Sequence, residues 1–202
     1  MRPGQFVTLK QVDAAAMAVQ TELDRLGVWQ ADSRLRRTDI MWCPLPQMLC
    51  AALGFCFDAQ PVAPLRWLGY EAGNIYIPHW VLSQWPWQQE RGSLRDVLRH
   101  EYAHALAWHY PGLIRRSRQF VATFGGGYDH GQSVPGPKAA FVSDYASTQP
   151  AEDFAETFKV FVRHEGRRPA RLRNVQLRRK WAYVRSVVRA IALGHYRWEA
   201  TV

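Results

Sequence analysis

The segment His100-Glu101-Tyr102-Ala103-His104 sets two imidazoles four residues apart with a carboxylate between them. On a helix the two histidines project from one face about one turn apart, so both can reach a single metal ion. Glu101 is rotated about 100° from His100 around the same axis, where it can address a water beside the metal without ligating it. Together these residue types supply metal-assisted hydrolysis, with Zn2+ as the expected metal and Glu101 as the general base. The plainer alternative is a pair of hydrogen-bonded histidines on a core helix.

A catalytic zinc takes three protein ligands and leaves one position for water. His109 is a poor third ligand, because it lies about 140° around the helix from His104 and one residue off the spacing of the extended histidine pattern. His130, in Tyr128-Asp129-His130-Gly131, is another candidate. A better one is Glu152, within Ser143-Asp144-Tyr145-Ala146-Ser147-Thr148-Gln149-Pro150-Ala151-Glu152-Asp153-Phe154-Ala155-Glu156. Glu152 and Glu156 stand one turn apart, in the first turns of a helix whose dipole favours a carboxylate there. Phe154, Ala155, Phe158, Phe161 and Val162 supply the surface that packs this helix on the core. Taken alone the segment reads as an ordinary acidic helix start, and the histidine pair is what raises Glu152 above that.

The two segments HEYAH and DYASTQPAEDFAETF resemble the gluzincin metallopeptidases, most closely the branch that contains the catalytic domain of anthrax lethal factor and the Mlc titration factor peptidases. That branch follows its HExxH helix with a Tyr-x-x-Thr-Asn-x-x-Glu-(Phe)-Phe-Ala segment. The resemblance covers residues 93–162, with a similar terminal helix, and implies that His100, His104 and Glu152 are zinc ligands and Glu101 the general base. It further implies that Tyr145 stabilises the oxyanion and that Glu156 orients a ligand instead of binding zinc. Gln149 stands where the family usually has asparagine. Residues 1–92 carry no match. By the same analogy, a strand around Ile75–Ile77 is expected at a sheet edge, where extended peptide could pair with it. The loop 125–138 is expected to act as a lid or a plain connector; no Lys-Ser/Thr follows its glycines, so it does not read as a phosphate cradle.

The elements that must position these residues follow from periodicity and punctuation. Thr8 can cap a helix running to Leu26, with Val12, Ala15, Val19, Leu23 and Leu26 at helical spacing and Gly27 after it. Residues 38–45 read as a short strand, 46–53 as a short helix and 61–64 as a connection. LRWLGYEAGNIYIPHWVL reads as a hairpin turning at Ala72-Gly73-Asn74 and ending at Pro78. Ser93 with Asp96 can cap the histidine helix, which Pro111 closes; Leu94, Val97, Leu98, Tyr102, Ala105 and Trp108 form its apolar stripe. Further helices are expected at 113–124, from about Pro150 to before Gly166, and at roughly 169–193.

The chain has 202 residues, 48% of them hydrophobic, with 9 Trp, 8 Tyr and 9 Phe, which places it outside the disordered class and predicts one packed core. The expected fold class is α+β: a zincin-like single domain over 1–202, with a helix and small sheet in 1–92, the zinc-site helices in 93–165 and a basic terminal helix in 166–202. No stretch reaches the roughly 18 apolar residues that a membrane span needs, and MRPGQFVTLKQVD lacks a secretory apolar core, so a cytoplasmic protein is expected. Cys43, Cys50 and Cys56 have neither disulfide nor zinc spacing and read as buried free thiols.

The net charge of +9 is concentrated: residues 159–202 carry 12 Lys+Arg and 2 Asp+Glu, whereas 1–158 carry 14 and 15. Trp181, Val184, Val187, Val188 and Ile191 form a stripe that must pack inward, which makes the arginines the exposed face of a terminal helix. The expected partner is a protein or peptide substrate. Nucleic-acid binding by the basic helix, as part of a DNA-associated protease, ranks behind it. A non-catalytic zinc-binding regulatory protein is the remaining alternative; a structural site needs neither Glu101 nor Tyr145 and normally closes all four zinc positions.

Overall fold

The computed structural model describes residues 6–43, 55–57, 60–61, 63–67, 69–79, 93–133, 135–170 and 172–196. The architecture is α+β. Helix α1 (Leu9–Arg25) starts at Thr8, whose side chain accepts from the Gln11 amide while the Gln11 side chain accepts from the Thr8 amide. Short strands follow at β1 (Ile40–Cys43) and β2 (Phe55–Cys56), then helix α2 (Ala63–Trp67) and strand β3 (Ile75–Pro78). The remaining helices are α3 (Leu94–His109), α4 (Arg118–Phe124), α5 (Pro150–Arg163) and α6 (Val175–Ala192).

The hairpin expected over residues 65–82 is not formed. Its first residues belong to α2, and Gly69, two residues beyond the end of that helix, has φ +84°, a left-handed conformation that suits glycine. β3 instead lies in the middle of a three-stranded sheet of order β1-β3-β2, parallel to β1 and antiparallel to β2. Ile75 and Tyr76 therefore have a strand paired on both sides, and Ile75–Ile77 is buried, so the expectation of a substrate-pairing edge there is also overturned. The turn residues were read correctly: Gly73 has φ +84°, and a Cβ there would sit 2.4 Å from Cδ1 of Trp108. The turn before β3 thus lies directly on the end of α3.

Two helix starts lie later than expected. Residues 111–116 form turns and α4 begins after Ser117, whose hydroxyl accepts from the Phe120 amide. α6 begins after Asn174, whose side chain accepts from the Gln176 amide. The helix expected at 46–53 and the thiol of Cys50 lie outside the described residues. Cys43 is buried and Cys56 half-buried, and neither is in a disulfide among the described residues.

α3 is the centre of the molecule, packed by α1, β2, β3 and α5. One buried apolar cluster joins it to α1, β3, α4, α5 and α6, and takes in Trp181, Val184, Val187, Val188 and Ile191 as expected. An ionic chain, buried at Arg99 and Asp96 and open to solvent at Arg163, ties the same helices together. Arg99 on α3 donates to both carboxylate oxygens of Glu22 on α1 at 2.6 and 2.8 Å and to Asp96 at 2.5 Å, and Asp96 also accepts from Arg163 on α5. No helix of the described residues is long and apolar enough to cross a membrane.

Candidate metal centre

α3 and α5 lie side by side, and the polar groups that interrupt their apolar faces meet in one buried place. His104, Glu101 and Glu152 are all buried and His100 nearly so. Nε2 of His100 lies 3.2 Å from Nε2 of His104. Oε2 of Glu152 lies 3.0 Å from the first and 3.7 Å from the second. Tetrahedral zinc with ligands at about 2.0–2.1 Å requires donor separations of about 3.3–3.4 Å, so this triangle has the size of one face of a zinc tetrahedron. Of the three candidates for third ligand, the structure brings Glu152 to the histidines. His130 is exposed, and Nε2 of His109 lies 3.0 Å from Thr38 Oγ1 at the far end of α3, its pKa pushed down to about 4 by burial and by Arg37 and Arg34.

The groups behind the triangle fix which atoms face it. Nδ1 of His100 donates to Oε1 of Glu156 at 2.8 Å, because a carboxylate has no proton to give. Glu156 is itself held by Lys159 at 2.6 Å and by the Ser143 hydroxyl at 2.7 Å. Nδ1 of His104 lies 2.7 Å from the hydroxyl of Tyr128. Nδ1–H of His100 is fixed by Glu156; with Nδ1–H of His104 donating to the Tyr128 oxygen, both Nε2 lone pairs are directed at the carboxylate oxygen of Glu152, an arrangement that requires a cation or proton between them. Gln149 donates to Oε1 of Glu152, while Oε2 is buried and makes no hydrogen bond. The orphaned oxygen, the paired lone pairs and the triangle size together fit a zinc ion, which His100, His104 and Glu152 would hold.

Electrostatics point the same way. Burial lowers the pKa of His100, but the close carboxylate of Glu152 and the hydrogen bond to Glu156 outweigh this and raise it to about 10. Burial likewise opposes ionisation of Glu152, and the two histidines nevertheless hold it well below the usual carboxylate range. Glu101 is shifted upward by burial and accepts from the backbone N–H of Cys56 on β2, which anchors it on the sheet side of α3. Tyr145 sits in a short 3₁₀ turn (Tyr145–Ser147) with its ring 5.9 Å from that of His100. Ser143 links this turn to the site, accepting from the Ala146 amide at 3.1 Å while donating to Glu156. Burial and the nearby Glu152 and Glu101 carboxylates hold the Tyr145 phenol protonated far above its ordinary range.

Two participants were not read from the sequence. Tyr128 comes from the loop 125–138, where no periodicity marks it; the available signal was a single aromatic among glycines, close after α4. It is buried against Phe120 and Phe154, so the loop is anchored at this point. Gln149 was noted only as a departure from the family pattern, yet its amide binds the Glu152 carboxylate. No protein-family model, curated protein or solved structure matches the chain.

Proposed function

We propose that this chain is a zinc-dependent metallopeptidase of the gluzincin kind, with a zincin-like fold in which a small sheet and α5 flank the histidine helix. The observation that carries the reading is the buried triangle of His100 Nε2, His104 Nε2 and Glu152 Oε2, with its donor separations of 3.0, 3.2 and 3.7 Å. Bound there, zinc supplies a Lewis acid that activates water and polarises a carbonyl. Glu101, one residue from His100 and buried beside it, takes the proton from the attacking water and delivers it to the leaving amine. Its upward-shifted pKa suits both halves of that task. Tyr145, protonated at every working pH, donates to the oxyanion as the peptide carbonyl becomes tetrahedral. A structural zinc site would have use for neither group, which favours catalysis over a regulatory role.

The test is Glu101→Gln. It should leave zinc content at one per chain by elemental analysis while lowering cleavage of a broad peptide library by about 10²–10⁴-fold. Wild-type protein that holds one zinc per chain and cuts nothing in the library, or a variant that cuts at the wild-type rate, rejects the reading.

A further inference from the structure

The peptidase reading leaves unused the segregated positive charge of the last described helix. α6 contains no Asp or Glu, and Arg178, Arg179, Arg185 and Arg189 are all exposed on its outer side. Arg173 is exposed just before its start. Among the described residues none of these five has a carboxylate partner. Arg173 and Arg185 donate only to the carbonyls of Ala170 and Gly166.

This arrangement is electrostatically unfavourable for the isolated helix. Arg178 and Arg179 lie near its positive N-terminal end, where acidic residues would be stabilising. Arg185 and Arg189 are like charges at the i,i+4 spacing, which repel. The fold does not need the arginines for packing, because the buried side of α6 is already made by Leu177, Trp181, Val184, Val187, Val188 and Ile191. The two buried cations nearest, Lys159 and Lys180, are consumed by Glu156 and Asp153. A polyanion would relieve both repulsions.

We propose that the outer face of α6 is a binding surface for the phosphate backbone of nucleic acid, independent of sequence. Arg178, Arg185 and Arg189 fall close to one line along the helix and span about 16 Å, a reach comparable with about five phosphates of one strand. The charges are arginines, whose planar forks match phosphate oxygens in pairs. A membrane surface is the other large polyanion, but a helix that lies on lipid inserts an apolar face. Here that face is already spent on the protein core, leaving only Val175 and Leu193 as large apolar side chains exposed on the helix and its cap. The surface does not depend on the metal centre.

The experiment measures fluorescence anisotropy of the full chain with a mixed-sequence DNA duplex of roughly 20 base pairs, titrated over a range of salt. Wild type should bind at low salt, with affinity falling linearly in log–log form. The triple substitution R178Q/R185Q/R189Q should weaken binding at least about tenfold and flatten the slope by about 2.7 through loss of three phosphate contacts. A charge-matched triple at exposed positions elsewhere, K10Q/R66Q/R95Q, should stay within about twofold of wild type; far-UV circular dichroism and thermal unfolding establish that both variants are folded. No binding at low salt, an equal loss in both triples, or binding to phosphatidylserine vesicles without binding to DNA each overturns the proposal.

Discussion

Tyr128 contacts His104 and Tyr145 lies against His100, and the two should fail in different ways. The hydroxyl of Tyr128 is 2.7 Å from Nδ1 of His104 and its ring is packed in the core, so Tyr128→Phe keeps the fold and removes only the group that orients the ligand. Groups of this kind are worth about 10–100-fold in metal affinity, and competition against a chromophoric chelator should show a zinc affinity weaker by that factor. Tyr145→Phe should leave zinc affinity within about twofold of wild type and lower kcat by about 10²–10³, the loss of one oxyanion donor, worth about 2.7–4 kcal/mol. Single-turnover assays read the second effect and chelator competition the first. If the two variants gave the same profile, the division of labour between the tyrosines would be wrong. Of these two residues only Tyr145 is singled out by the sequence, through the resemblance of residues 144–158 to the gluzincin segment; the structure brings its ring to His100. Tyr128 meets His104 through the tertiary path of a glycine-rich loop, which no local pattern encodes.

At the level of elements, α1, α3 and α5 are joined by Glu22, Arg99, Asp96 and Arg163. Burial alone would raise the pKa of Asp96, but bonds and charge from Arg163 and Arg99 hold it at about 2, against 3.8 ordinarily. A folded-state pKa below the unfolded one stabilises above the unfolded value and is lost as pH falls from about 3.8 toward about 2. The link is worth on the order of 2 kcal/mol at neutral pH. Urea unfolding should therefore find Asp96→Asn less stable than wild type by about that amount at pH 7, with the gap closing by about pH 2. A gap independent of pH would show that the charge of Asp96 is not what stabilises the helix junction. The starts of α1 and α3 were readable, since Thr8, and Ser93 with Asp96, mark them. The sheet was not: aromatic composition made residues 65–70 look like a strand, and the partner of β3 is β1, more than thirty residues earlier. Parallel pairing leaves no signature in the neighbourhood of either strand.

For the whole molecule, the donor triangle joins α3 to α5, two helices that both contribute to the large apolar cluster. A metal there would bind the folded chain and not the unfolded one, so it should act as a clamp on the entire core. Free zinc at one hundred times its Kd stabilises by about 2.7 kcal/mol, which for a chain of this length raises Tm by roughly 5–10 °C. Differential scanning calorimetry before and after chelation should find that drop, reversible on adding zinc back; an unchanged Tm would mean that no metal joins the two helices. Charge distribution is also a property of this scale. Its asymmetry was visible by counting, but only the fold shows that Lys159 and Lys180 turn inward to buried carboxylates while the arginines of α6 remain outside.

The Lys159–Glu156 contact behind His100 has a consequence for what the centre exchanges with its surroundings. With neutral histidines, the ionised carboxylates of Glu101, Glu152 and Glu156 against one ammonium leave two buried negative charges. One divalent ion cancels them, and so would two protons. Metal and acid therefore compete for the same enclosed space. Glu152 and Glu156 favour a proton on His100, so an ion entering the proposed site at neutral pH would have to displace it. Metal uptake should therefore weaken as the pH falls.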